Sequence, residues 1–331
     1  MTYKVTILLP VYNGENYLES SIQSVLNQSY KDFSLHILDD CSTDSSAEIA
    51  QSTGDPRVKY SRNPHKCGLF KTLNRGFSEA DSSLVRIWAH DDLMISGSLE
   101  EFVQFAELNH EVGMVYCNFL SIDPLGKPTG GEEEFRVQRD LTPIRAGSKI
   151  SAALFLSFGC LPGNISTVML RKSAWEKVNG FLEGMQQSPD YDMWLRISGI
   201  FDVGYIDRKL IELRDHPLQL SKVGQKQLST ILEELPIYYE MIKRLGASEL
   251  DINILRFWRH HRGREHIHWM ARAILAGKIK TAYQGWRNIR KYQQPWMQLM
   301  FWLLSFNGRF FLQKSEREKF FKYLASKYCA S

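Results

Sequence analysis

Two pairs of adjacent acids in the first hundred residues are the side chains best placed to do chemistry. Asp91 and Asp92 close the run Ala89-His90-Asp91-Asp92, and Asp39-Asp40 stands after an earlier apolar run. Neighbouring carboxylates repel, so a chain that keeps both needs a cation or several hydrogen-bond donors beside them. Mg2+ or Mn2+ suits such a place, because hard cations take oxygen ligands and commonly complete their shell with substrate phosphates. One carboxylate of the 91–92 pair would hold the metal. Each pair also has a plain structural reading as a turn or a helix cap, the second ahead of a helical stretch at Ser98 to Leu108. Two pairs at two strand ends of one sheet would face a single crevice, and together they favour a nucleotide and metal site.

Three further features carry weaker signals. Ser188-Pro189-Asp190-Tyr191-Asp192-Met193-Trp194 reads as an N-cap serine, a proline at the first helical position and then an amphipathic helix. Its acids can simply stabilise the helix dipole, and Asp192 can pair with Arg196 four residues on. The segment Arg62 to Lys71 is mildly basic, with Gly68 allowing close approach and Lys71 a candidate diphosphate contact. His216, in Arg214-Asp215-His216-Pro217, is a candidate ligand to metal or phosphate, against the plainer reading of an exposed loop histidine.

These residues need elements to position them. The first 120 residues alternate β-rich runs with helix-period segments, the pattern of crossover units feeding a parallel sheet. Strands are expected at Val5 to Leu9, Ser34 to Leu38, Val58 to Ser61, Leu84 to Trp88 and Met114 to Asn118. Leu18, Ile22, Val25 and Leu26 recur at helical spacing and predict a helix against that sheet, ending near Gln28. A second helix should run through Ala47, Ile49 and Ala50, capped by the polar residues after Asp39. Asp123 to Gly147, rich in Pro, Gly and charge, predicts a loop or short antiparallel excursion over the site. From about Gln225 the texture turns helical, which gives two domains, 1–222 and 223–331.

Composition narrows the function classes. A formal charge of +4 over 331 residues is too dilute for the basic patch of a nucleic-acid binder, so no nucleic-acid partner is expected. Five scattered cysteines with no C-x-x-C pair signal neither a disulfide framework nor a zinc site and fit a reducing cytosol. The N-terminal apolar run reads as a strand rather than a signal peptide, and the apolar stretch Trp296 to Leu312 is interrupted by polar residues, so no membrane span is expected.

Val5 to Ser46, VTILLPVYNGENYLESSIQSVLNQSYKDFSLHILDDCSTDSS, closely resembles the opening of inverting family-two glycosyltransferases. The resemblance continues through CGLFKTLNRG, AHDDLMISGSLE, SPDYDMWLRIS and LRDHPLQLS and spans roughly the first 220 residues. It implies an α/β GT-A fold, a Rossmann-like and mostly parallel central sheet flanked by helices, followed by the C-terminal helical region. It implies a nucleotide-diphosphate sugar donor of the UDP or dTDP type. The backbone after Pro10, at Val11 and Tyr12, and the Asp40 carboxylate would hold the base, with Asp39 supporting that loop. Asp91 would contact ribose, Asp92 would hold Mn2+ or Mg2+, and Asp190 would be the general base that takes the acceptor proton. The chain departs from the family pattern with Pro189 before the base and Ala89 or His90 ahead of the acidic pair, which leaves Asp192 as a second candidate base. No Q-x-x-R-W motif follows, so transfer of single sugars is expected, in cell-surface polysaccharide or glycan assembly.

Arg272 to Tyr323 interleaves basic and aromatic residues. Packing on the catalytic domain or on a second subunit is the expectation, and contact with the inner face of a membrane the alternative, given a saccharide or lipid-linked saccharide acceptor. Two other functions compete. A nucleotidyltransferase would open with a Gly-rich basic phosphate loop, which Asn13-Gly14-Glu15-Asn16 is not. A non-catalytic sugar-nucleotide or saccharide-binding protein would share the crevice without turnover.

Overall fold

The computed structural model describes residues 3–129, 145–185, 188–217, 219, 230–245, 267–292 and 319. In chain order the elements begin with β1 (Val5–Val11), α1 (Leu18–Leu26), β2 (Phe33–Asp39), α2 (Ser46–Gln51), β3 (Val58–Arg62) and α3 (Leu69–Glu79). They continue with β4 (Leu84–Ile87), β5 (Leu93–Met94), α4 (Ser98–Leu108), β6 (Val112–Ile122), β7 (Arg145–Ala146) and α5 (Ser148–Phe158). Then come β8 (Val168–Arg171), α6 (Lys172–Lys177), α7 (Pro189–Ser198), β9 (Asp202–Arg214), α8 (Thr230–Leu245), α9 (267–275) and α10 (Ile279–Tyr292). The chain divides into two compact units, the first made of Met1–Ser148, Cys160–Gly184 and Ile200–His216, the second of Lys149–Gly159, Met185–Gly199 and Pro217–Ser331.

The first unit is built on one sheet of strand order β3-β2-β1-β4-β8-β6-β9-β5, with β7 paired to β9. All seven residues of β1 and of β2 are buried, as mostly apolar strands covered by helices on both faces require. Val5, Ile7 and Leu9 point into a core shared with Leu18, Ile22 and Val25 of α1 and Leu99, Phe102 and Val103 of α4. Leu8 and Leu38 point the other way, where α3 comes so close that a Cβ on Gly76 would stand 2.4 Å from Leu38 Cδ1. The five strands expected from the sequence are all present. The sheet is nevertheless mixed: β3-β2-β1-β4 is parallel, whereas β8 runs antiparallel to both β4 and β6, and β5 and β7 run antiparallel to β9. The residues 123–129 make a small antiparallel return, with Thr129 N–H on Ser121 O, and residues 130–144 of the expected excursion lie outside the described residues.

The chain runs from β1 outward through β2 and β3, then returns to the other side of β1 for β4. Such a reversal opens a crevice at the carboxyl ends of the two central strands, where ligands of open α/β sheets bind. Pro10 marks its edge: the pairing of β1 with β4 ends at Leu8 and Ile87, so a residue without an N–H costs nothing on that side.

In the second unit α7 is buried along nearly its whole length and packs through Tyr191, whose hydroxyl donates to Phe155 O at 2.7 Å and whose ring meets Tyr238 edge-on. Pro189 takes the first helical position, as expected, but the Ser188 side chain makes no capping bond. Its N–H instead donates to Glu233 Oε2 of α8 at 3.1 Å. Among the described residues no helix is long and apolar enough to cross a membrane. Trp296 to Leu312 lie outside them.

Candidate active site

The loops after β1 and β2 hold each other. Asn13 and Cys41 take left-handed φ angles of 53° and 69°, turning both strands sharply. Asn13 N–H donates to Ser42 Oγ at 3.0 Å, and Thr43 N–H returns to Asn13 Oδ1 at 2.8 Å. Gly14 N–H reaches Ser46 Oγ at 2.9 Å, Glu15 N–H reaches Asp44 Oδ2 at 3.0 Å, and Ser45 N–H reaches Glu15 Oε2 at 3.1 Å. This reciprocal capping accounts for the short polar residues that fill both motifs. It fixes Pro10, Val11 and Tyr12 at the edge of the crevice. The Val11 carbonyl accepts from Asp40 N–H at 2.8 Å, and the exposed Tyr12 ring carries Lys66 Nζ at 3.5 Å from its centroid.

Asp39 and Asp40 both turn inward. Asp39 accepts from Ser42 N–H at 2.8 Å and from the Tyr60 hydroxyl at 2.7 Å. Asp40 Oδ1 accepts from Asn63 Nδ2, Cys67 N–H and Thr72 Oγ1 at 2.7, 2.7 and 3.1 Å, and Oδ2 accepts from Gly68 N–H at 2.7 Å. The φ of +92° at Gly68 lets the 67–68 amides aim at one side chain and starts α3, on whose first turn Lys71 is exposed. The Asp40 carboxylate, expected to meet a base, organises the 63–68 loop that walls the crevice.

The turn after β4 is clamped from three elements. Ser21 of α1 donates to Ala89 O at 3.1 Å and accepts from Trp88 Nε1 at 2.9 Å. Ser166, fully buried, accepts from Ala89 N–H at 3.0 Å and donates to Asp92 Oδ2 at 2.6 Å. Arg214 at the end of β9 gives its N–H to Asp92 Oδ1 at 3.0 Å and its Nε to Asp91 O at 2.9 Å. None of these three was a candidate from the sequence. The signal available was a small hydroxyl in the apolar stripe of α1, and it names no partner.

The clamp sorts the two acids. Asp92 is 1% exposed, and burial, reinforced by the charge of Asp91, pushes its carboxyl well above the ordinary range despite Ser166 and Arg214. Asp91 Oδ2 stands 2.9 Å from His216 Nε2. Burial works to raise its pKa too, but the His216 hydrogen bond and the two imidazoles His90 and His216 bring it below the ordinary value. His90 packs where a Cβ on Gly14 would meet its ring at 2.5 Å, and burial lowers its pKa from the ordinary imidazole value. Tyr17 packs tilted against His216, with ring centroids 5.2 Å apart, and carries the Arg214 guanidinium at 4.6 Å. Asp92, expected to hold the metal, therefore faces the protein, while Asp91, expected at ribose, shares the crevice with His216.

Asp91 Oδ2 and His216 Nε2, 2.9 Å apart, are a carboxylate and an imidazole, groups that would serve as ligands to a divalent cation. Among the described residues no cluster of three or more His, Cys, Asp or Glu could hold a metal alone. An ion at Asp91 and His216 would therefore draw its other ligands from water and a bound diphosphate, a usual arrangement for Mg2+.

In the second unit the two acids of α7 also part. Asp192 is committed to Arg196, whose Nε donates at 2.8 Å with both side chains buried. Asp190, in the first turn and half-buried, makes no such pair among the described residues, and burial raises its carboxyl to about 6 against backbone amides that lower it.

Residues 6–166 match the family model described as Glycosyl transferase family 2. An uncharacterized glycosyltransferase of Rickettsia typhi is 26% identical over 253 residues, covering 74% of each chain. The N-terminal half of the chain is thus similar to family 2 glycosyltransferases. Two solved structures share the fold. Staphylococcus aureus TarS 1-349 in complex with UDP-GlcNAc superposes with a TM-score of 0.56 at 15% identity, over 88% of this chain and 92% of that one. The mannosyltransferase PcManGT of Pyrobaculum calidifontis, in complex with GDP-Man and Mn2+, gives 0.57 at 14% identity over 100% and 88%. The fold is thus that of GT-A glycosyltransferases, a central sheet flanked by helices with further helices at the C-terminus.

Proposed function

We propose that this glycosyltransferase moves one sugar at a time, with inversion, from a UDP- or dTDP-type sugar to an acceptor hydroxyl. The observation that carries the donor site is the Asp91–His216 pair after β4, in the crevice beside β1, on a turn that Ser166 and Arg214 hold through Asp92 and the Asp91 carbonyl. The base would lie on the backbone at Pro10, Val11 and Tyr12, against the loop that Asp39 and Asp40 organise. Lys71 would meet the diphosphate. Mn2+ or Mg2+ held by Asp91 and His216, when bound, would offset the charge of the departing diphosphate.

The acceptor hydroxyl attacks the anomeric carbon, its proton passes to Asp190, and the bond to the diphosphate breaks with the electron pair leaving on the phosphate oxygen. A carboxyl near 6 is ionised at neutral pH yet basic enough to take that proton, which suits a general base. Asp192 is spent on Arg196, which favours Asp190 over it. We place the chemistry in residues 1–222 and give 223–331 a supporting role. The acceptor would be a saccharide or lipid-linked saccharide of a cell-surface polymer, reached from the cytoplasmic side.

The test is thermal stabilisation by a panel of nucleotide diphosphates and sugar nucleotides, with and without Mn2+, followed by transfer assays read for the anomeric configuration of the product. Stabilisation that needs both a nucleotide and Mn2+ and disappears in Asp91→Asn is the expected result. No stabilisation by any nucleotide would discard the donor site, and donor binding without turnover on any acceptor would leave a binding protein.

A further inference from the structure

The hairpin of α9 and α10 has one face too apolar for water and too basic for most protein partners. Its inner face is satisfied: Ile267, Met270, Ala273 and Ala282 are buried, and Tyr239, Trp269 and Trp286 pack around the first two. The link is a tight helix cap, with Gly277 at φ +72°, Gly277 N–H on Ile274 O at 2.9 Å and Lys278 N–H on Ala273 O at 2.8 Å. That cap turns four large apolar side chains outward at the tip. Ile274, Leu275, Ile279 and Tyr283 are 54%, 88%, 60% and 62% exposed. Nine large hydrophobics are exposed among the described residues, and four of them fall within these ten positions, so the patch is a concentration and not scatter.

Charge says what covers it. Residues 267–292 hold six Lys and Arg and no Asp or Glu, whereas the whole chain is net +4, so everything else is net −2. Arg272, Lys280, Arg287 and Arg290 are exposed. On α10 the sequence of Ile279, Tyr283 and Arg287 at four-residue steps runs apolar, amphipathic, cationic along one face, away from the tip. That gradient matches a bilayer interface, with acyl chains innermost, an aromatic ring at the boundary and cations at the phosphates. A second copy would set six cations against six. A nucleic acid would leave Leu275 and Ile279 in water.

We infer that the tip of this hairpin docks on an anionic lipid bilayer, with Ile274, Leu275 and Ile279 entering the interface and Lys280 and Arg287 binding lipid phosphates. The inference stands apart from the transfer reaction. It adds to that reading a way for the chain to meet a lipid-linked acceptor in two dimensions.

The experiment is co-sedimentation of the full chain, without nucleotide, with phosphatidylcholine vesicles alone or containing about a third phosphatidylglycerol. Wild type should bind the anionic vesicles and lose binding as salt rises. Two exposed basic residues contribute about fivefold each near an anionic surface, so Lys280→Gln with Arg287→Gln should weaken binding on the order of twentyfold. Leu275→Ser with Ile279→Ser should weaken it by at least about tenfold through lost apolar burial. Both double variants should melt like wild type and keep their transfer rate on a water-soluble acceptor, because the four side chains are exposed and lie outside the residues assigned to transfer. Three results would overturn the inference. One is no binding, or equal binding to neutral and anionic vesicles. Another is a dimer abolished by the serine variant in a chain that binds no vesicle. The third is loss of binding in the glutamine variant alone.

Discussion

Exchanging Asp91 or Asp92 for asparagine, one at a time, separates the two acids by what each does. In Asp92→Asn the oxygen facing Arg214 N–H remains, and the new amide faces Ser166 Oγ, which already accepts from Ala89 N–H and has a second lone pair for it. The exchange also removes a charge from a fully buried position where the carboxyl is already pushed toward its neutral form. The cost should stay within about 1 kcal/mol. Asp92→Ala differs, because it strands the Ser166 hydroxyl and the Arg214 N–H in the interior. At about 1–3 kcal/mol for each orphaned group, the loss is near 4 kcal/mol, or about 8–16 °C in Tm for a unit of this size. Asp91→Asn should leave Tm within a few degrees, yet cut nucleotide affinity in the presence of Mn2+ by at least about tenfold, since the carboxylate opposite His216 is gone. Calorimetric melting and titration with a nucleoside diphosphate, each with and without Mn2+, measure all four quantities. The reasoning fails if Asp92→Asn abolishes the metal-dependent affinity while Asp91→Asn keeps it.

Three further outcomes follow from the same geometry. Asp190 has a folded-state pKa of about 6 against 3.8 for an ordinary carboxyl, so the stability it contributes is present below about pH 4 and lost as pH rises through 6. Asp190→Asn should therefore raise Tm at pH 8 by a few degrees while removing transfer, and the wild-type rate should fall as pH drops below 6; a pH–rate profile flat from 5 to 8 would exclude this base. Gly14→Ala drives a Cβ into the His90 ring and Val11 Cγ2, at 2.5 and 2.8 Å, and should cost about 1–3 kcal/mol by melting along with donor affinity. Ser166→Ala removes the bridge between Ala89 N–H and Asp92 and should cost about 2–4 kcal/mol, with donor affinity falling in step because the 89–92 turn loses one of its clamps.

What could be read from the sequence was what local spacing decides. The apolar runs that became β1 and β2 announce strands covered on both faces, and the stripe of Leu18, Ile22, Val25 and Leu26 announces α1, because periodicity alone says which side meets the core. The Asp192–Arg196 pair was equally legible from its four-residue step. The antiparallel strands β5 and β7, two residues each, were not, since so short a run has no period to detect.

The division of labour between Asp91 and Asp92 lay further out of reach. Beyond Ile87 the strand has ended, and with it the alternation that would tell which of two neighbours turns inward. What decides is Ser166, 74 residues on, and Arg214, 122 residues on, neither of which signals its partner along the chain. A buried carboxylate costs free energy unless donors meet it, so those two residues draw Asp92 inward and thereby leave Asp91 to His216 and the crevice. Asp92, read from the sequence as the metal ligand, is the acid that aims the other.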